Sequence, residues 1–590
     1  MPNSSSEKLT SLRATLKDQN LNGLVVPHAD EFLSEYLPQN AERLAWLTGF
    51  TGSAGYAVVL TDKAVAMTHG IYEIQIRKQV DQTLYSIEDF TKCPIGDWLA
   101  ANAKSGSVIG YDPRLMTRQQ IEMIEKKTSE SGIKLKPVTQ NPIDAIWTDR
   151  PSAPLGQVEL FPDNIAGATS LEKRQKIAED LKTEKISSVV ITQSDSICWL
   201  LNVRGSDIDY NPLVLSSLIL HKDGHANWYV DARKIPQDVV TRLGKDIRIC
   251  SPDDFETDLK KSTSPVQIDP QRSPMVAETV LKESGIEKVD GKDPCVLPKS
   301  IKTQSEQRAI KQAHIRDGIA VTKFLHWLDC QDFKKIDLTE IDLEKKLEEF
   351  RQGHASYRGN SFGTISGWAS NGAIIHYHAT PESNQRITGD NLYLVDSGGQ
   401  YEYGTTDITR TIVIGKIDQE TKNCFTRVLK GHIAVASAVM DDTLDGASLD
   451  KLARASLQED GKDYAHGTGH GVGCFLAVHE EATYIAPRST GEVFKSGMLL
   501  SNEPGYYRED HFGIRHENLM LCQENEDGTL YWETITVVPF DLRGVDWALI
   551  TDAEKKWLES YHSHVFETIS PYLYSEEVDW LREVCFSYFE

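Results

Sequence analysis

Apolar and polar positions along this 590-residue chain change period several times, and the changes divide it into segments. Residues 7–19 place leucines on one helical face, and 23–26 follow as an apolar run of strand length. Strand-like runs recur at 55–60 and 64–67 with helix-like stretches between them, so the pattern predicts an α/β unit. It closes in the Pro-rich stretch 141–154 (NPIDAIWTDRPSAP), a candidate linker. A second unit repeats the order, with a helix over 171–182 and strands over 187–192, 216–221 and 228–231. The order suggests two related domains, although no repeat of the residues themselves is detectable. Between these strands, 199–212 (WLLNVRGSDIDYNP) has the composition of an ordered turn, either structural or facing a site.

A third segment opens on Thr303-x-x-Glu306, the pattern of a helix capping box. Val321, Phe324, Leu325 and Leu328 then keep i, i+3, i+4, i+7 spacing, which predicts a helix. Another is expected over 336–350. The stretch 391–414 (NLYLVDSGGQYEYGTTDITRTIVI) reads as two antiparallel strands joined by a hairpin. Alternation puts Asp407 on a face with Thr405 and Thr409, and turns Ile408, Ile412 and Ile414 the other way. The tail from 551 reads as amphipathic helix with aromatics.

Length requires more than one hydrophobic core, and 40% hydrophobic with 25% charged residues is ordinary globular composition. No run approaches the roughly 20 apolar residues of a membrane span, and the first twenty residues lack a secretory layout. The nine cysteines are scattered singly, with no CxxC, as expected of thiols in the cytoplasm. A formal charge of −24 without a Lys/Arg cluster disfavours nucleic-acid partners.

Chemistry gathers after residue 390. Asp396 ends one apolar run and Asp407 starts the next. Crowded acids facing away from an apolar surface need either a proton or a cation between them. HGTGHGVG (466–473) is too glycine-rich for a helical zinc site, and a turn exposing His470 is expected instead. Glu503 ends the run MLLSNEPG, and alternation in GIRHENLML (513–521) puts Arg515 and Glu517 on one face. Four carboxylates and one imidazole suit hard or borderline divalent ions, and two ions rather than one.

With the motifs HGTGHGVG and NEPGYY, the set Asp396, Asp407, His470, Glu503 and Glu517 resembles the signature of the pita-bread metallopeptidases. The likeness is strongest to their long, three-domain, cytosolic Xaa-Pro aminopeptidases, and it extends through WLTGFTGSAG (46–55), AHIRDGIAVTKFLHWL (313–328), AIIHY (373–377) and LYWETITVVPFD (530–541). It implies an α/β (α+β) chain: creatinase-like α/β domains at 1–155 and 156–302, then a pita-bread catalytic domain with a C-terminal extension at 303–590. It also implies two divalent ions, Mn²⁺ foremost and Co²⁺ or Zn²⁺ as alternatives. Asp396 would chelate one ion, Asp407 and Glu517 would bridge both, and His470 and Glu503 would complete the other's shell.

The implied reaction is hydrolysis of the first bond of peptides with an N-terminal Xaa-Pro. Glu503 would take the proton of the attacking water, and His376 would help stabilise the tetrahedral intermediate. His479 and Arg515 would line the proline side, with His466 a further site histidine and Tyr507 behind them. A cytoplasmic homodimer, built partly on the C-terminal extension, is implied too. Three departures stand out. His69-Gly70-Ile71-Tyr72 replaces a DGRY-like stretch, Glu480-Glu481-Ala482 replaces Glu-Gly-Pro after His479, and His378 lies two residues beyond His376, read as exposed. A prolidase acting on dipeptides, and a non-catalytic peptide-binding relative, are the competing readings.

Overall fold

The computed structural model describes residues 4–439, 444–488 and 492–589. Contacts divide the chain into two compact units, Met1–Asp163 with Ala168–Val296, and Asn164–Gly167 with Leu297–Glu590.

The first unit holds two six-stranded mixed sheets of one topology. In the first, the strands run Ser86–Asp89, Ala64–Thr68, Tyr56–Leu60, Gly23–Pro27, Val108–Tyr111, Lys134–Pro137. In the second they run Ile247–Cys250, Ala226–Tyr229, Ser217–His221, Ser188–Ile191, Val266–Ile268, Lys288–Asp290. Corresponding pairs have the same sense: the first strand in sequence is antiparallel to one neighbour and parallel to the other in both. Gly23–Pro27 is buried throughout, as a strand covered on both faces must be. Its side chains divide accordingly, Leu24 and Val26 entering one apolar cluster and Val25 another.

Two expectations here need correction. Trp199 belongs to the helix Ser194–Leu201, which Asn202 ends in the left-handed conformation at φ 52°; Asn tolerates that region as most residues do not. Val203–Arg204 then pairs with Glu159–Leu160. The strand expected over 228–231 is Ala226–Tyr229, because Asp231 instead caps the turn Ala232–Lys234. At the DGRY-like position, burial lowers the His69 pKa against the pull of Asp89, and the ring lies edge-on to Tyr72 and Phe90, so the stretch makes an aromatic contact.

The second unit is built on two antiparallel sheets. One is Ile365–Trp368, Asn391–Ser397, Ile408–Ile414; the other is Glu480–Ile485, Gly469–Gly471, Leu499–Asn502, Asn518–Glu524, Leu530–Thr534. The Thr303 side chain accepts from the Glu306 N–H to cap Gln304–Asp329. Val321, Phe324, Leu325 and Leu328 of that helix pack against Ile408, Ile412 and Ile414, so the predicted faces meet. Each such aliphatic side chain contributes about 1.5–3 kcal/mol on burial. The helix expected over 336–350 is Glu340–Gln352, because Thr339 caps it by accepting from Asp342 N–H.

The 391–414 stretch is more than a hairpin. Its strands pair antiparallel with Asp396 opposite Thr409, but Gly399–Tyr401 and Gly404–Thr405 form a small hairpin of their own. A Cβ on Gly398 would run into the Thr406 carbonyl, so only glycine allows the chain to turn out of the first strand there. The tail forms two helices, Asp552–Ile569 and Ser575–Phe586. Their Leu558, Val565, Ile569 and Leu581 complete a core shared with Val428, Ile514 and Phe540.

Candidate metal centre

Each carboxylate of the centre sits at a strand end or just beyond one, where the pleat stops repeating and a polar group can leave the apolar face. Asp396 is the penultimate residue of Asn391–Ser397, and Asp407 immediately precedes Ile408–Ile414. Glu503 follows Leu499–Asn502, its N–H donating to the Thr468 carbonyl. The stretch 513–521 is not one strand: Phe512–Arg515 and Asn518–Glu524 belong to different sheets, and Glu517 lies between them. It still shares its target with Arg515, since Thr409 Oγ1 donates to Glu517 Oε2 at 2.8 Å and Arg515 Nε donates to the same hydroxyl at 3.2 Å.

His470 is on a short strand, Gly469–Gly471, rather than in the expected turn. The glycine allows this, because a Cβ on Gly469 would strike the Ser501 carbonyl of a neighbouring strand. His470 Nδ1 donates to the Gly471 carbonyl at 2.9 Å, which leaves Nε2 with a lone pair directed at the acids, the tautomer a metal requires. That Nε2 lies 3.5 Å from Asp407 Oδ2 and 3.3 Å from Glu503 Oε1. One donor atom each from Asp407, His470 and Glu517 lie within 4.8 Å of one another.

Electrostatics make this cluster demanding. Burial, followed by the charges of Asp396 and Glu503, pushes the Asp407 carboxyl well above its ordinary range. Burial and Asp407 do the same to Glu517. Glu503 rises to about 7 through burial and the nearby Asp396, against the pull of Arg515. Arg515 is a buried cation beside these acids, and of the two Asp396 oxygens it engages Oδ2, through Nη2 at 2.6 Å and Nε at 3.1 Å. Among the described residues, Asp396 Oδ1 and Glu517 Oε1 are buried without a hydrogen-bond partner. Leaving two carboxylate oxygens so costs several kcal/mol unless a cation meets them. Oxygen-rich donors, two orphaned oxygens and mutually raised acids fit divalent ions.

The remaining expected residues form the wall. Arg515 is only 1% exposed, so it does not line an open subsite; its guanidinium is spent on Asp396, Tyr507 and the Ile375 carbonyl. A buried cation needs such partners. Tyr507 OH accepts from Arg515 at 2.6 Å and donates to His466 Nε2 at 2.8 Å. Burial and Arg515 lower His466 to about 3. His479 packs edge-on to His470, ring centres 4.3 Å apart, so the altered Glu480-Glu481-Ala482 sequence leaves it at the centre. His376 is half-buried, held neutral by burial and by Arg515. It lies in a turn beyond Ala369–Ala373 and not on a strand, so His378 shares no strand face with it and is exposed. The sequence reading did not single out Ser501, which supports both Glu503 Oε1 and the His470 N–H; its place inside MLLSNEPG was the available signal.

Comparison with known proteins agrees with this geometry. Residues 308–524 match the model of metallopeptidase family M24 and 528–588 its C-terminal region, while 8–146 and 149–306 each match a creatinase/prolidase N-terminal domain. The chain belongs to metallopeptidase family M24, with two creatinase-like α/β domains ahead of a pita-bread domain. Among its relatives, the probable Xaa-Pro aminopeptidase P of Laccaria bicolor is 36% identical, covering 98% of this chain and 93% of its own. That of Coprinopsis cinerea is 35% identical, covering 98% and 97%. The crystal structure of X-prolyl aminopeptidase from Caenorhabditis elegans, described as a cytosolic enzyme with a di-nuclear active site, superposes with a TM-score of 0.94. It covers 99% of both chains at 30% identity.

Proposed function

We propose that this chain is a metal-dependent Xaa-Pro aminopeptidase, releasing the first residue from peptides with proline second. The observation that carries the reading is the convergence of Asp407, His470 and Glu517 within 4.8 Å, beside Glu503 and the orphaned Asp396 Oδ1. Asp396, Asp407, His470, Glu503 and Glu517 would together hold two divalent ions, with Asp407 and Glu517 placed to serve both. The di-nuclear site of the C. elegans enzyme supports that number, and the four-carboxylate, one-imidazole donor set favours Mn²⁺.

Divalent ions bound there supply Lewis acidity to the scissile carbonyl and make water a nucleophile near neutral pH. The chain's own groups do the rest. Glu503, beside His470 and fixed by Ser501, takes the proton from the attacking water. Neutral His376 donates a hydrogen bond to the oxygen that gains charge in the tetrahedral intermediate. His479 borders the proline side, while Arg515 fixes Asp396 and, through Tyr507, His466. A proline amide has no N–H to grip, and none of these groups asks for one.

The domains proposed are 1–155, 156–302 and 303–590, in a cytoplasmic homodimer without nucleic-acid partners. No helix among the described residues is long and apolar enough to cross a membrane. The test combines metal analysis of the purified protein, its mass in solution, and a peptide panel. Arg-Pro-Pro should be cleaved after Arg, and Asp407→Asn should lose metal together with at least about a hundredfold in kcat. Turnover of Gly-Pro with none of Arg-Pro-Pro would mark a prolidase instead, and an Asp407→Asn protein with unaltered metal content would overturn the site.

A further inference from the structure

His376 is carried by the segment between Trp368, the end of a strand, and Gln385, and apart from the turn Ala369–Ala373 this segment has no regular structure. A loop this irregular does not hold an imidazole in place through its own backbone, so its orientation must come from elsewhere. On the site side, the carbonyl of Ile375 accepts from Arg515 Nη2 at 3.3 Å. On the far side stands Glu340, the first residue of the helix Glu340–Gln352 and completely buried.

Glu340 has no ion-pair partner among the described residues. Its carboxylate instead gathers donors from the whole length of the loop. It accepts from Trp368 N–H at 2.7 Å, from Gln385 N–H at 2.8 Å, and from Asn371 Nδ2 at 3.1 Å to each oxygen. It also accepts from the hydroxyl of Tyr377, the residue after His376, at 2.8 Å. That phenol has one proton to give; Glu340 Oε2 at 2.8 Å is a charged and nearer acceptor than the Ser383 carbonyl at 3.0 Å, and the same hydroxyl accepts from Asn371 Nδ2, 2.9 Å away. A helix N-terminus favours negative charge at this position. Burying a carboxylate is nevertheless costly, and an apolar core residue would close the fold without that cost.

We propose that Glu340 is a positioning residue for His376, clamping both ends of the loop and the neighbouring Tyr377 so that the imidazole stays aimed into the centre. The proposal rests on the reading of His376 as the donor to the tetrahedral intermediate. Glu340 touches neither substrate nor metal ligands; it acts through Tyr377 and Asn371.

The test compares Glu340→Gln, Tyr377→Phe, His376→Ala and the double variants with His376→Ala, on Arg-Pro-Pro with the metal-loaded protein. Gln offers one acceptor where Glu offers two, so it cannot receive the whole set; Tyr377→Phe removes one hydroxyl and keeps the ring. Each should lower kcat about 10- to 100-fold, the cost of a small misplacement of a catalytic group, with KM within about twofold and metal content unchanged. In the His376→Ala background the same substitutions should cost less than about threefold more. Unchanged kcat, losses that multiply with His376→Ala, or losses tracking metal content would each overturn the proposal. If Glu340→Gln does not fold, Tyr377→Phe decides alone. A His376→Ala protein with full kcat would instead refute the role of His376, a separate failure visible before any Glu340 variant is made.

Discussion

Thr409 shows how a neutral residue serves a charged centre. Its hydroxyl donates to Glu517 Oε2 and accepts from Arg515 Nε, while its carbonyl accepts from the Glu517 N–H. It is fully buried, so its one proton is committed to the carboxylate. Thr409→Val keeps the shape and removes that bond. It should weaken metal binding about 10- to 100-fold, as loss of a partner behind a ligand does, read by metal titration calorimetry, with secondary structure intact. Affinity equal to that of the unaltered protein would mean that Glu517 is held by its backbone alone. The four acids and the imidazole were legible in the sequence because each closes an apolar run or stands in a glycine-rich one. Their supports were not. Arg410, with donors to the carbonyls of Glu517, Val538 and Pro539, lies in a β-branched run like any other strand residue, and no local pattern marks partners more than a hundred positions away.

Between residues and whole lies the loop after the strand Gly469–Gly471. It is fastened at one end by Gln400 Nε2 donating to the Leu476 carbonyl at 2.8 Å. At the other, Glu480 meets Lys299 at 3.0 Å and also Lys302, all three buried. His479 precedes this anchor, which explains why replacing Gly-Pro by Glu481-Ala482 leaves it against His470. Glu480→Gln would take away the negative charge that two buried ammonium groups share and should destabilise the protein by about 3–5 kcal/mol, measured by urea denaturation; a change below about 1 kcal/mol would show that their other partners, such as the Lys299 and Ser300 carbonyls on Lys302, are enough to hold them. At this scale periodicity served well for helices, since faces predicted from 3.6-residue spacing are those that pack. It misplaced the start of Glu340–Gln352 because Ile336 and Leu338 prolong the apolar rhythm. The sharper sign, Thr339 three residues before Asp342, was present and is what the backbone obeys.

For the molecule as a whole, stability should depend on pH through acids that are not part of the metal centre. In the first unit Asp293 and Asp30 are buried, and burial raises each to about 6, whereas an unfolded aspartate titrates near about 3.9. The folded state therefore binds more protons between those values. The stability each contributes is complete below about pH 4 and is lost as pH rises through about 6, up to about 3 kcal/mol apiece. Asp293→Asn keeps the oxygen that accepts from Cys295 N–H and removes the titration. Its thermal midpoint should fall less between pH 5 and pH 8 than that of the unaltered protein; equal falls would place the pH dependence elsewhere. Sequence order alone suggested the related halves of this unit. The identical strand orders bear that out at the level of topology, and each half matches a creatinase/prolidase N-terminal domain.

Arg515 holds Asp396 by a single oxygen and leaves the other buried without a hydrogen-bond partner among the described residues. A guanidinium seated across both oxygens would be a competitor that incoming cations had to evict. Seated on one, it is a permanent tenant that keeps the carboxylate aimed before any ion arrives. Filling the centre then demands dehydration of the ions and departure of protons, with no side chain displaced from Asp396.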